Sequence, residues 1–158
     1  MRLTPISRPL AESTSTVPER SLRRAQRRTA FKVGIDLVSV DDVRESIRVH
    51  SGRYLRRVYT SRELRDCAAA GGVPDARRLA ARFAAKEAAL KVLRAGDEAV
   101  PWTTIGVRSD RFGSPSIELT GAAGELARRR GLEALDVSLT HEGPFAAAVV
   151  VARVRGAR

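Results

Sequence analysis

The sequence predicts an α+β fold rather than a doubly wound parallel sheet. Two observations predict it. Helical and strand-like segments are mixed along the chain, and most of the strands are joined by short turns of the hairpin kind. The turns carry the residues that such connections need: Asp110-Arg111-Phe112-Gly113-Ser114-Pro115 in one place and Glu142-Gly143-Pro144 in the other.

Each element has its own signal. Phe31 to Val38 (FKVGIDLV) is an apolar, β-branched run and reads as a buried strand. Ser39 ahead of Asp41 and Asp42 is a helix start, predicting a helix over 41–50 that stops near Ser51-Gly52. A second short helix is expected over Tyr54–Tyr59. Thr60 with Glu63 makes a capping-box pattern for a third, ending at Gly71-Gly72. Pro74 and Asp75 open a long helix to about Arg94, and Gly96 closes it. Trp102–Arg108 and Ser116–Leu119 read as strands, Gly121–Arg130 as a helix, and Leu135–Thr140 with Phe145–Val154 as a final hairpin. No internal repeat is present.

The chain has 158 residues, which suits one domain with a modest core. No run of 18 apolar residues occurs, so no membrane span is expected. The single cysteine, Cys67, excludes an intrachain disulfide and fits a reducing, cytoplasmic setting. It reads as a buried, inert thiol, since no His or Asn lies near it in sequence. A net charge of +11 calls for an acidic partner: nucleic acid, an anionic membrane, a polyphosphate ligand or an acidic protein. Residues 1–30 hold seven arginines against two glutamates, so much of that charge belongs to a Ser-, Thr- and Pro-rich segment with little apolar periodicity. They are expected to form a flexible basic tail, and 31–155 the folded domain.

Three polar segments stand out against this background. In Ala81-Arg82-Phe83-Ala84-Ala85-Lys86-Glu87-Ala88-Ala89-Leu90-Lys91, Glu87 and Lys91 fall one turn apart on the same helix face. Only three of the 29 cationic residues are lysines (Lys32, Lys86, Lys91), and two of them are here. Lysine is a compact point charge suited to phosphate oxygens, whereas arginine is a planar fork. A surface ion pair worth about 0.3–0.5 kcal/mol would give the same Glu–Lys spacing. The second segment is Gly34-Ile35-Asp36. A carboxylate inside an apolar strand either takes backbone hydrogen bonds at the strand end or binds a cation. The third is Ser138-Leu139-Thr140-His141, with Ser138 and Thr140 on one strand face and His141 starting a turn.

Taken together, VGIDLVSVDDV, RFAAKEAALKVL, FGSPSIEL and VSLTHEG resemble, in order and spacing, the 4′-phosphopantetheinyl transferases of the holo-acyl-carrier-protein synthase type. The resemblance covers about residues 32–152. It implies the fold of that family, an antiparallel sheet packed against a long helix, in the half-size form that assembles as a homotrimer with sites between subunits. It implies transfer of 4′-phosphopantetheine from coenzyme A to a serine of an apo acyl carrier protein, leaving 3′,5′-ADP. Asp36 and Glu87 would be the ligands of a Mg²⁺ ion. Lys91 would offset charge on the transferred group, and Glu87 is also a candidate base. Arg82, Lys86, Gly113, Pro115 and His141 would bind the co-substrate.

The chain departs from the family pattern at Asp42, where Arg is common, at Ser39, where Glu is common, and at Ser114 in the Gly-Lys/Arg-Pro turn. The first departure bears on which carrier docks: that of fatty-acid synthase, polyketide synthase or peptide synthetase. The rival from another class is a basic nucleic-acid-binding module. Aromatic residues are only 4% of the chain, too few for stacking platforms, and no zinc-finger spacing occurs, so a nucleic-acid partner is not expected. A catalytically silent scaffold is the third reading, and the intact Asp36, Glu87 and Lys91 speak against it.

Overall fold

The computed structural model describes residues 29–155. The expectation of a basic tail falls on residues that lie outside this range, apart from Thr29 and Ala30. Those two already belong to the first strand, two residues ahead of the expected domain boundary.

The elements run β1 (Thr29–Ser39), α1 (Val40–Val58), α2 (Ser61–Asp66), α3 (Ala76–Leu93), β2 (Ile105–Ser109), β3 (Pro115–Leu119), α4 (Gly121–Arg129), β4 (Leu132–Glu142) and β5 (Phe145–Arg155). The sheets are antiparallel. One has the order β1-β5-β4 and the other pairs β2 with β3. The fold is therefore α+β.

The local chemistry accounts for most boundaries. Ser39 caps α1 by accepting from the Asp42 N–H, and Thr60 with Glu63 completes the capping box of α2. Asp75 caps α3 by accepting from the Arg77 and Arg78 N–H groups. The two helices expected on either side of Ser51-Gly52 are both present: within the span of α1 they meet at a kink at Ser51, whose φ of 45° and ψ of -132° break the helical path. Three expectations need correction. The third helix ends at Asp66, because Cys67 caps it and the chain then turns through an isolated bridge between Ala68 and Pro74. Trp102–Thr104 is a 3-10 turn set by Pro101, so β2 starts at Ile105. The final hairpin is longer than expected at both ends, with a bulge near Leu132 and Ala134.

Helix α3 lies on the inner face of the three-stranded sheet. Its small residues Ala84, Ala85, Ala88 and Ala89 meet Val137, Ala148, Val150 and Ala152 in the main core. Small residues on both sides allow close approach. A second cluster packs α1 and α2 against the start of α3 through Val40, Val43, Tyr59, Cys67 and Leu79. The outer face of β1 is uncovered: Phe31, Val33, Ile35 and Leu37 are each more than 60% exposed. Among the described residues no helix is long and apolar enough to cross a membrane.

Candidate functional site

Strand β1 and helix α3 together build a charged cluster. Alternation along β1 sends Ile35 and Leu37 outward and Gly34 and Asp36 toward α3. Lys91 reaches across from α3 and donates to the Asp36 carboxylate at 2.7 Å and to the Ile35 carbonyl at 2.6 Å. Glu87, one turn earlier on α3, lines a cleft with Asp36, Ser39, Asp42 and Phe83. Burial, and then the Asp36 charge, push the Glu87 carboxyl above its ordinary range, against a smaller opposing pull from Lys91. Two carboxylates and an ammonium thus share one partly buried corner. Such a corner attracts a further cation and an anionic ligand.

A second cleft lies on another flank of α3. It has a volume of about 450 Å³ and is lined by Arg78, Arg82, Ser109, Asp110, Arg111, Gly113, Thr140 and His141, among others. Arg82 forms its floor and is 95% buried. One guanidinium N–H donates to the Arg78 carbonyl and another to Ser109 Oγ, both at 3.3 Å, while its buried Nε has no partner. His141 sits at the rim on the helix-facing side of β4, whereas Ser138 and Thr140 alternate onto the outer face.

The residues expected to form the site therefore gather in two groups. Asp36, Glu87 and Lys91 form one, and Arg82, Gly113 and His141 the other. In the sheet His141 pairs with Ala146, which pairs with Val38, two residues beyond Asp36. Two strand spacings and two residues put the Asp36 and His141 backbones about 12 Å apart. Around α3, Arg82 and Glu87 point about 140° apart. Pro115 begins β3 and does not line the second cleft.

Lys86 requires a correction. It was expected to hold phosphate, but its side chain is wholly buried and its ammonium is fully used. It pairs with the Glu63 carboxylate at 3.0 Å and donates to the Trp102 carbonyl, at 3.0 Å, and the Ile105 carbonyl. Glu63 in turn accepts from the Thr60 and Val107 N–H groups. Burial lowers the Lys86 pKa, and the Glu63 charge opposes that shift. The pair joins α2, β2 and α3 inside the core. Sequence reading identified Glu63 as a capping residue but missed this second role. It also missed Arg78, Ser109 and Arg111. The only signal for Arg111 was its place in the turn beside Gly113.

Comparison with known proteins identifies the family and the fold. A profile described as the 4′-phosphopantetheinyl transferase superfamily matches residues 32–150. The holo-[acyl-carrier-protein] synthase of Geotalea daltonii is 38% identical over 122 residues, covering 77% of this chain and 96% of that protein. That of Desulforudis audaxviator is 40% identical over 125 residues, covering 76% and 90%. Among solved structures, apo-ACPS from Chronobacterium superimposes with a TM-score of 0.68 at 30% identity, covering 81% of this chain and 99% of that one. The Helicobacter pylori holo-[acyl-carrier-protein] synthase in complex with coenzyme A gives 0.67 at 26% identity, covering 77% and 99%. With a family profile matched over most of its length and the fold in common, the chain belongs to the 4′-phosphopantetheinyl transferase superfamily.

Proposed function

We propose that this protein transfers 4′-phosphopantetheine from coenzyme A to a serine of an apo acyl carrier protein. The carrying observation is the Asp36–Glu87–Lys91 corner, which unites two carboxylates and a half-exposed ammonium on rigid elements. The carrier serine hydroxyl attacks the phosphorus that bears pantetheine. Its P–O bond to the rest of the diphosphate breaks, and 3′,5′-ADP leaves.

The donor set fits Mg²⁺, which takes one or two carboxylates with phosphate oxygens and waters. Asp36 and Glu87 would hold it, since the Asp36 charge raises the cost of ionising Glu87 and a bound cation would offset it. When bound, the ion supplies charge compensation to the diphosphate and the leaving group. Lys91 uses two of its three donors on Asp36 and Ile35, which leaves one for a phosphate oxygen. Glu87, directly or through a water, takes the serine proton. Arg82, Gly113 and His141 receive the nucleotide end.

The active form in this proposal is a homotrimer. The apolar outer face of β1 supports it, as does the separation of the site residues into two groups, which a neighbouring copy would complete. The setting is cytoplasmic, where the buried Cys67 thiol, pushed up to about 11 mainly by burial, stays reduced and inert.

The test is the intact mass of an apo acyl carrier protein after incubation with this protein, coenzyme A and Mg²⁺. The expected result is a gain of one phosphopantetheine that requires Mg²⁺ and is absent with Asp36→Ala. No gain on fatty-acid, polyketide or peptide-synthetase carriers, from a folded enzyme, would overturn the proposal.

A further inference from the structure

We propose that Lys32 and Arg94 form a carboxylate-reading site at the far end of a groove that leads away from Lys91. Through it the chain takes as donors, besides coenzyme A, those coenzyme A thioesters whose acyl group ends in a carboxylate, in preference to neutral thioesters of similar length. This inference rests on coenzyme A being the co-substrate.

The groove starts at the charged corner. Lys91, which donates to Asp36, also lines the groove, and Arg94 and Gly96 continue it past the end of α3. Leu90, Ala95 and Val100 supply an apolar surface, and the volume is about 300 Å³. On β1, Lys32 shares the α3-facing side with Gly34 and Asp36, away from the apolar outer face. Lys32 and Asp36 are four residues apart, about 13 Å along the strand.

Cations crowd this end of α3. Arg129 and Arg130 both pair with Glu98, and Arg130 also donates to the Arg94 carbonyl at 3.4 Å. Lys32 and Arg94 have no carboxylate within ion-pair distance among the described residues. Even with the exposed Asp97 of the same loop counted, these four cations stand against two carboxylates. Burial, and then the Arg94 and Arg130 charges, lower the Lys32 pKa, so the cations repel one another. A bound anion relieves that repulsion. The helix dipole accounts for one cation at a helix C-terminus, and Arg130 fills that role on the Arg94 carbonyl. It does not account for Arg94 itself. Arg94 holds the left-handed cap position, with φ 50° and ψ 51°, where glycine is free of strain. An arginine there accepts strain and places an exposed guanidinium on the groove.

The geometry of the transfer assigns the ligand group. The carrier serine enters through the cleft lined by Ser39, Asp42 and Phe83, and in-line displacement sends 3′,5′-ADP to the opposite side of the phosphorus. The pantetheine substituent lies across that line and takes the remaining opening, the groove beyond Lys91. Its arm carries no charge, so the cations at the far end have nothing to bind on coenzyme A itself. An acyl group that ends in a carboxylate supplies the missing anion, and the planar Arg94 fork suits it. The transfer step is unchanged: the serine oxygen bonds to phosphorus, the P–O bond to 3′,5′-ADP breaks, the serine proton passes to Glu87, and the thioester crosses intact.

Two measurements test the site. The first offers an apo carrier equal concentrations of succinyl-coenzyme A and butyryl-coenzyme A and reads the two products by intact mass, which gives the ratio of kcat/KM directly. The parent should favour the succinyl donor roughly tenfold, the scale of a charge-assisted hydrogen bond. Lys32→Met and Arg94→Gly should each lower the ratio, and the double variant should bring it close to one with kcat/KM for coenzyme A little altered. Lys32→Arg should keep the preference. Both test variants are expected to fold, since Arg94→Gly suits the left-handed cap and Lys32→Met removes a repelled cation. A parent ratio near one, or a ratio that the double variant leaves unaltered, would overturn the site. The second measurement is calorimetric binding of the same two thioesters, which needs no carrier and no transfer. If coenzyme A modifies no carrier, the proposed function fails, while a binding preference for the succinyl thioester that the double variant loses still supports the site. Equal binding of the two thioesters by the parent would sink it.

Discussion

Gly34 lies so close to the Ala88 carbonyl that a Cβ at position 34 would overlap it, with Val92 Cγ2 a further 3.1 Å contact. Gly34 is paired with Val150 in the sheet, so space and not a left-handed conformation demands the glycine. The approach it permits is what lets Lys91 reach Ile35 and Asp36. Gly34→Ala is expected to force β1 and α3 apart at a cost of about 1–3 kcal/mol. Thermal denaturation should show a Tm lower by several degrees. Steady-state kinetics should show a larger fractional loss in kcat than in KM, because the charged corner is displaced. A variant with full activity would mean that this spacing does not set the site.

Glu87 sets a conflict between stability and activity. Its folded pKa lies above its unfolded value, so the native state binds the proton more tightly than the unfolded chain. Ionised Glu87 therefore destabilises the protein, and its contribution declines as pH rises through the raised pKa. In the metal-free protein, Glu87→Gln should raise Tm at pH 7. The gain should shrink below about pH 4, where the parent's glutamate is protonated in both states. Added Mg²⁺ should raise the Tm of the parent and much less that of the variant. The variant should also be inactive in transfer. A lower Tm at neutral pH in Glu87→Gln would contradict the strained-carboxylate picture.

The architecture was legible because its punctuation is local. Ser39, Thr60 and Asp75 each cap the helix that their positions announced. The Asp110–Pro115 and Glu142–Pro144 turns each join antiparallel neighbours. Spacing on one helix placed Glu87 and Lys91 on one face, and strand alternation turned Asp36 toward them. Lys86 was misread for the opposite reason. Whether a lysine meets ligand or core depends on Glu63, Trp102 and Ile105, which lie 16 to 23 residues away along the chain. No periodicity records such a meeting. The splitting of the site into two clefts was equally invisible, since it depends on strand order in the sheet.

Lys86 and Lys91 offer a controlled comparison on a single helix. Lys86→Met strands the Glu63 carboxylate in the core, where it is 1% exposed, and should cost about 3–5 kcal/mol. Lys91→Met removes a half-exposed ammonium and should cost less than about 1 kcal/mol. Chemical denaturation should separate them by midpoint. Transfer kinetics should rank them the other way, with Lys91→Met losing kcat most. Equal stability of the two variants would refute the structural assignment of Lys86.

The outer face of β1 predicts the assembly state. Charges placed on the stripe, as in Val33→Glu with Leu37→Lys, should leave the core untouched because both side chains point away from α3. Light scattering should then report a trimer for the parent and a monomer for the variant. Transfer activity should disappear with the trimer if the two clefts act on one coenzyme A from different copies. An active monomer would place the entire site in one chain.

In the proposed function, Asp42 would set part of the charge that a docking carrier meets. It is exposed in the first turn of α1 and lines the cleft that also holds Asp36 and Glu87. The arginines that follow do not compensate it, since Arg44 pairs with Asp41 and Arg48 with Glu45. The rim thus keeps a negative charge where an acidic carrier would approach, and like charges there slow association. Asp42→Arg should raise kcat/KM on an acidic carrier roughly several-fold at low ionic strength, with the gain fading as salt screens it. A small loss of stability, about 0.3–1 kcal/mol, should accompany it, because an acidic residue favours the helix start. Improved kinetics on acidic carriers alone would identify Asp42 as a carrier-selecting residue. Unchanged kcat/KM on every carrier would remove that role and leave it a helix-stabilising one.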